Sequence, residues 1–231
     1  QFMLASLYQR GEGVEQNITE AARWLKAAAV QGDKIALSSL MGLHLNELSV
    51  GKEFSKWLEN YRKTIETTDA DPQFHLGQLY HEGRGVIQDF SLAAELYRQA
   101  AERGSKEAQF GLATLYENGD GLPKDIEKAI FWFERAASGG HLKAMSTLAF
   151  AYDNGIGVNQ NDKAASYYHQ QGALGGDIEA QYLTGNRYEA GIGFTKNYVK
   201  ALIFYELAAE KNNVEDIFKL GKFYDLGIVT D

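Results

Sequence analysis

The sequence predicts an all-α fold, a right-handed α-α superhelix (solenoid) of 36-residue helical hairpins. Three observations predict it. Residue types recur every 36 positions through all 231 residues, each period contains two stretches with apolar residues at helical spacing, and glycines end these stretches. Only 2 residues are proline, so helices run mostly uninterrupted. A single hairpin cannot bury its apolar faces, whereas stacked hairpins can, which favours a repeat array.

The period is clearest near the end of the first helix of each hairpin. An aromatic column is followed three positions later by glycine, and no insertion or deletion disturbs the spacing. The aromatic column is Tyr8, His44, Tyr80, Tyr116, Tyr152, Tyr188 and Tyr224. The predicted units are 1–32, 33–68 (degenerate), 69–104, 105–140, 141–176, 177–212 and a partial unit 213–231.

The fourth unit shows how each hairpin is specified. Its first helix is expected over Lys106–Asn118, ended by the Gly119-Asp120-Gly121 turn, because glycine accepts left-handed backbone. Its second helix is expected from about Asp125 to Ser138, with Asp125 as the N-cap. The residues expected to be buried on the second helix are Ala129, Trp132, Phe133, Ala136 and Ala137.

A leucine–glycine pair, a tyrosine, a Gly-x-Gly turn, an acidic cap and a small-residue stripe recur in order. In the third unit they are Leu76-Gly77, Tyr80, Gly83, Gly85-Val86, Asp89, Ala93, Tyr97, Ala100-Ala101 and Gly104. This pattern resembles the Sel1-like repeat, a relative of the tetratricopeptide repeat. The resemblance implies a protein-binding scaffold or adaptor, as in protein quality control, cell-surface signalling or bacterial–host interaction.

The same resemblance implies a third, less favoured role. Cysteine-rich bacterial relatives have been linked to penicillin binding and hydrolase-like activity, but this chain has no cysteine and lacks their paired thiols.

The second unit departs from the pattern, since Glu47 and Ser49 replace both turn glycines, His44 the tyrosine and Trp57 a small residue. It is interpreted as a degenerate repeat with an altered local angle; the alternative is a specialised contact point.

Composition limits the partners. The formal net charge of −8 repels phosphate backbones, so nucleic acid is not expected as a partner. No apolar stretch reaches the roughly 20 residues that span a bilayer. The chain begins at Gln1 and ends after the first helix of a seventh unit, so it is expected to be part of a longer protein or to self-associate through uncovered ends. The compartment is left open.

The candidate binding surface is the side of each first helix that faces away from the core. By analogy with tetratricopeptide stacks it lines a concave groove, and an acidic column in it favours partners with basic segments; the alternative is a solvated charge that suits the turn. Phe150 stands out because Gln78, Thr114 and Asn186 hold its position elsewhere. The candidate residues are Gln78, His81, Thr114, Glu117, Phe150, Asp153, Asn186, Glu189, Lys222 and Asp225.

No catalytic, metal or cofactor site is predicted. The histidines form no H-E-x-x-H pair, and the repeated Gly-x-Gly pairs lack the third glycine and the preceding strand of a dinucleotide site. A scaffold that holds a partner protein or peptide is therefore the favoured function. The alternative is a structural spacer that uses its ends or its convex face.

Overall fold

The computed structural model describes residues 1–31, 33, 35–37, 39, 40, 43, 70–83 and 86–209. Within them the chain is all-helical, without a strand, which confirms the predicted fold class. The features predicted at His44, Glu47, Ser49 and Trp57, and those of the partial seventh unit, lie outside these residues. No helix among the described residues is both long and apolar enough to cross a bilayer.

The chain forms two compact units, Gln1–Lys124 and Asp125–Asp231. From here on these two halves are called the first unit and the second unit, and each 36-residue repeat is called a hairpin. Both units are built from helical hairpins, in which the odd-numbered helices named here are first helices and the even-numbered are second helices; the last helix of the first unit and the first helix of the second belong to the same 36-residue repeat. The first unit contains α1 (Phe2–Arg10), α2 (Ile18–Val30), α3 (Ala70–Glu82), α4 (Phe90–Glu102) and α5 (Lys106–Asn118). The second contains α6 (Ile126–Ser138), α7 (Leu142–Asn154), α8 (Asp162–Leu174), α9 (Ile178–Ala190) and α10 (Tyr198–Ala209).

The second helices begin at a recurring cap. Asp125 accepts a hydrogen bond from the backbone N–H of Lys128 at 2.9 Å, which confirms its prediction as the N-cap of α6. This backbone hydrogen bond is the main reason that the pKa of the Asp125 carboxyl is lowered. The same cap recurs at intervals of 36 or 72 residues, at Asn17, Asp89, Asn161 and Asn197.

Alanines and aromatic rings make up the core between helices. On α6, Ala129, Phe133, Ala136 and Ala137 are buried as predicted. Trp132 is only half-buried, so the prediction of its burial is wrong, and Ile130 is buried instead. The indole lies at the margin of the buried face, where its ring packs edge-on against Phe131.

In two hairpins, a glycine at one position of the first helix lets an aromatic ring of the second helix approach closely. A Cβ on Gly185 would lie 2.6 Å from Cε1 of Tyr205, a fully buried ring from α10. Gly77 of α3 lies against Tyr97 of α4 in the same way. Where this glycine is present it therefore sets how closely the two helices of the hairpin pack, while Ala5, Ala113 and Ala149 hold the same position in other hairpins.

Candidate functional site

In the first unit, the predicted groove residues are half-buried and have local contacts. The side chain of Gln78 donates to Glu82 at 3.0 Å, and the hydroxyl of Thr114 donates to the carbonyl oxygen of Phe110 at 3.0 Å. The ring of His81 packs edge-on against Phe90 and Tyr97. Glu117 is half-buried at the end of α5.

In the second unit, two predicted residues of α7 line one cavity, which we call the α7–α9 cleft. It has a volume of about 240 Å³. Phe150 has 61% of its surface exposed, and Asp153 lies one turn further along the helix. The lining residues are Ser146, Phe150, Asp153, His169, Asp177, Glu179, Ala180, Leu183 and Arg187.

The carboxylate of Asp153 is held by two neighbouring helices. Nη1 of Arg187, on α9, lies 2.9 Å from Oδ1 and 3.1 Å from Oδ2 of Asp153. Nε2 of His169, on α8, lies 3.1 Å from Oδ2. Only 11% of each of these two side chains is exposed, so the ion pair is poorly screened by water.

Arg187 also ties the cleft to the turn that follows α9. Its Nε donates to the hydroxyl of Ser166 at 2.6 Å, and its Nη2 donates to the carbonyl oxygen of Asp162 at 3.2 Å. The hydroxyl of Ser166 donates in turn to the carbonyl oxygen of Ile192 at 2.8 Å. Ser166 is fully buried, so its hydroxyl is placed for structural bonding and not for attack on a substrate.

The pKa of His169 is lowered. Burial is the largest cause, because it disfavours the charged imidazolium; the nearby charge of Arg187 acts in the same direction. The hydrogen bond to Asp153 and the charges of Asp153 and Glu179 oppose the shift. The imidazole is therefore more easily kept neutral than an exposed one.

Neither Arg187 nor His169 is among the candidate residues predicted from the sequence. The signal for Arg187 was a charge in a column of the sequence that otherwise holds only apolar residues, namely Leu7, Leu43, Leu79, Leu115, Ala151 and Phe223. His169 stands where Tyr97, Phe133 and Tyr205 are found. Two polar replacements in neighbouring core columns are what create the Asp153 network.

Asn186 and Glu189 lie at a second cavity, of about 510 Å³, at the end of α9. The hydroxyl of Tyr205 lies 2.6 Å from Oε2 of Glu189 and 2.8 Å from Oδ1 of Asn186. Lys222 and Asp225 lie outside the described residues. The cleft therefore brings together Phe150 and Asp153, while Asn186 and Glu189 are joined by Tyr205.

The aromatic column on the same side of the first helices is part of the packing. Phe74 stacks on Tyr97 with ring centroids 5.7 Å apart, and Tyr182 lies 6.0 Å from Tyr205. Phe150 belongs to a different column and is the large apolar residue left exposed at the cleft. Within the described residues, no group of three or more His, Asp or Glu side chains is arranged to hold a metal ion.

Comparison with known proteins identifies the repeat. The Sel1 repeat family model matches residues 1–33, 73–105, 106–141, 142–177 and 178–213. No curated protein matches the sequence.

Two solved structures are similar over nearly the whole chain. One is c5321, a protective antigen of uropathogenic Escherichia coli with an SLR fold, at 29% identity and a TM-score of 0.71. The other is a Sel1 repeat protein from Oxalobacter formigenes, at 26% identity and a TM-score of 0.68. These alignments cover 99% and 96% of this chain, but only 49% and 64% of the respective relatives.

Members of this family typically act as protein-interaction scaffolds and are generally non-catalytic. The repeat matches account for most of the chain, and the helical hairpins have the fold of the similar structures. The chain belongs to the Sel1 repeat family.

Proposed function

We propose that the chain is a non-catalytic scaffold that binds a segment of a partner protein in the α7–α9 cleft. The observation that carries the proposal is the exposure of Phe150 beside a cleft lined by charged side chains. Exposed aromatic residues at the centre of a concave polar site are typical anchors of protein interfaces. The position itself does not require an aromatic residue, because Thr114 and Asn186 occupy it in neighbouring hairpins.

The charges of the cleft favour a basic segment. Asp153, Asp177 and Glu179 supply three carboxylates, against the single guanidinium of Arg187 and a His169 whose pKa is lowered. Arg187 offsets part of the charge of Asp153, and Asp177 accepts a hydrogen bond from the backbone N–H of Ala180 at 2.8 Å as the N-cap of α9, so the exposed Glu179 is the carboxylate most open to a cation. A lysine or arginine of the partner would be attracted to the carboxylate there, and its aliphatic stem would pack on the ring of Phe150.

The test is selection of binding peptides from a random library displayed on phage. The wild-type chain is expected to enrich peptides with Lys or Arg next to an apolar residue. The matched control is Phe150→Asn, which installs the residue found at position 186 and so suits the repeat. It should bind the selected peptides at least tenfold more weakly, as for loss of an aromatic anchor.

Two results would contradict the proposal. One is enrichment of acidic peptides, since the cleft carries more carboxylates than cations. The other is equal binding of the selected peptides to wild type and to Phe150→Asn. Circular dichroism of both proteins shows whether the variant keeps its helices.

A further inference from the structure

A third cavity of the second unit is lined by residues of α6, α7 and α8 and has a volume of about 280 Å³. We call it the α6–α8 cavity. It shares no residue with the α7–α9 cleft, and within the described residues no Lys, Arg or His lines it. The lining residues that decide its chemistry are Glu134, Ala137, Met145, Tyr167 and Tyr168. The cavity therefore has a carboxylate but no cationic side chain of its own.

Met145 replaces a hydrogen-bonding side chain of the repeat. At the same position in the preceding hairpin, Gln109 donates its side-chain N–H to the carbonyl oxygen of Ala101 at 3.0 Å, and Gln181 makes the same bond in the following hairpin. The equivalent carbonyl is that of Ala137, and a thioether has no N–H to donate. Both carbonyls also accept a backbone N–H at the end of the helix, so what Met145 removes is a second donor. A ligand with an N–H group can supply that donor.

Glu134 carries a negative charge where the adjacent hairpins have Arg98 and Gln170. The hydroxyl of Tyr152 donates to Oε1 of Glu134 at 3.0 Å. Because this hydroxyl is neutral, it orients the carboxylate without cancelling its charge. Within the described residues no Lys, Arg or His forms an ion pair with Glu134. The half-buried carboxylate is therefore held in place and keeps acceptor capacity for a cation.

Two tyrosine rings complete the cavity. The rings of Tyr167 and Tyr168 lie edge-on to each other with centroids 5.2 Å apart, and Tyr168 also stacks on Tyr152 at 5.8 Å. Burial and the charge of Glu134 raise the pKa of Tyr168 to about 12, so its ring remains a neutral phenol near pH 7. The face of a neutral tyrosine ring attracts cations.

We propose that the α6–α8 cavity binds the guanidinium group of an arginine side chain on a partner protein. A guanidinium carries a permanent positive charge and several N–H donors in one plane. Glu134 and Ala137 lie three residues apart on α6, on neighbouring turns of one face, so one planar group can donate to the carboxylate and to the carbonyl. Its face can then lie on a tyrosine ring.

Other cations fit this set of groups less well. A lysine ammonium has N–H donors but no planar face for the ring, and a quaternary ammonium has no N–H for either acceptor. The typical role of the family, binding proteins, makes a protein side chain the source of the group. Because the cavity is separate from the α7–α9 cleft, either proposal can fail without the other.

The first test follows the methyl signal of Met145 by NMR. The chain has 3 methionines, so labelled methionine methyl groups give few signals, and Met3 in α1 is an internal control. The probe is N-acetyl-arginine amide, whose only charge is the guanidinium. We expect it to shift the Met145 signal saturably and to leave the Met3 signal in place. N-acetyl-citrulline amide, which has nearly the same shape without the charge, should bind at least tenfold more weakly.

Two results of this titration would overturn the proposal. One is a Met145 signal that shows no saturable shift with the arginine compound. The other is equal affinity for the arginine compound and for either the citrulline compound or N-acetyl-lysine amide, since the cavity would then not recognise a guanidinium.

The second test uses variants that install residues from neighbouring hairpins. Glu134→Gln removes the charge, and Gln170 shows that a glutamine at this position bonds to the tyrosine hydroxyl, at 2.9 Å. Met145→Gln restores the amide that donates to the carbonyl at the end of the preceding helix in other hairpins. Each variant should bind the arginine compound about tenfold more weakly with an unchanged circular dichroism spectrum. Saturation transfer from the protein to the ligand measures binding to Met145→Gln, which lacks the methyl signal.

Phe150→Asn is the matched control, because it changes the α7–α9 cleft and no residue of this cavity. It should bind the arginine compound as wild type does. Wild-type affinity in Glu134→Gln, or a loss of affinity in Phe150→Asn equal to that in Glu134→Gln, would contradict binding in the α6–α8 cavity.

Discussion

At the scale of single residues, Arg187 and His169 distinguish one pair of hairpins from the rest. In the sixth hairpin, Glu189 is satisfied by the hydroxyl of Tyr205. In the fifth, the equivalent Asp153 is shorter and the equivalent aromatic residue is His169, so the carboxylate is held by an imidazole and a guanidinium. In both hairpins, side chains of neighbouring helices donate hydrogen bonds to a carboxylate near the end of a first helix, where the helix dipole disfavours negative charge.

Replacement of Arg187 by leucine, the residue at positions 79 and 115, tests the value of this ion pair. Arg187→Leu should lower the free energy of unfolding by about 2 kcal/mol, because it leaves Asp153 without its cation and Ser166 without a donor. Urea denaturation measures this change. Adding His169→Tyr should recover part of the loss, since a tyrosine hydroxyl can donate to Asp153 as Tyr205 does to Glu189.

The contrary result is a double variant whose loss of stability equals the sum of the two single changes. Such additivity would mean that His169 and Arg187 do not act on the same carboxylate.

The lowered pKa of His169 predicts a pH dependence of stability. The unfolded chain binds more protons than the folded protein as the pH falls below about 6.5, the ordinary pKa of histidine. The free energy of unfolding should therefore decrease in this range, and His169→Tyr should show a shallower decrease. Urea denaturation at a series of pH values measures both slopes, and identical slopes would contradict the assignment.

At the scale of elements, the second glycine of each turn is where one hairpin packs on the previous one. A Cβ on Gly193 would overlap the carbonyl oxygen of Asp162 and the hydroxyl of Ser166, at the start of α8. Gly121 lies in the same way against the backbone of Phe90 and Ser91, at the start of α4. The first glycine of the Gly-x-Gly pair therefore ends the first helix. The second glycine allows the hairpin to pack closely against the preceding one.

This role predicts that equivalent glycines differ in their tolerance of alanine. Gly13 and Gly193 both have positive φ, 76° and 69°, but a Cβ on Gly13 would meet no atom within 4 Å. Gly13→Ala should cost about 1 kcal/mol of stability, the cost of left-handed backbone alone. Gly193→Ala should cost about 4 kcal/mol, because the added methyl group displaces the backbone of α8.

Thermal and urea denaturation of the two variants make the comparison. Equal losses of stability would show that the turn conformation, and not the contact with the preceding hairpin, is what glycine provides.

The sequence predicted the elements well because their signals repeat. The bounds of α5, the cap at Asp125 and the left-handed Gly119 all follow from residue types that recur at one spacing, so each copy supports the others. The cleft was predicted only in part. Phe150 was recognised because it breaks a column of polar residues, whereas Arg187 was not, since a buried charge is identified only when its partners on other helices are known.

At the scale of the whole molecule, the second unit combines two surfaces built on different helices. The α7–α9 cleft involves first helices, whereas the exposed side chains of Phe131, Tyr167 and Ile203 lie on the outer side of second helices. The formal net charge of −8 is consistent with the proposal of a basic partner.

The scaffold proposal is tested most directly by photo-crosslinking to a selected basic peptide. A photoreactive phenylalanine analogue is placed at position 150, in the cleft, or at position 203, on the second helices. We expect the peptide to crosslink from position 150 and not from position 203. Crosslinking from position 203 alone would contradict the account, since the partner would then bind the second helices and leave the cleft unoccupied.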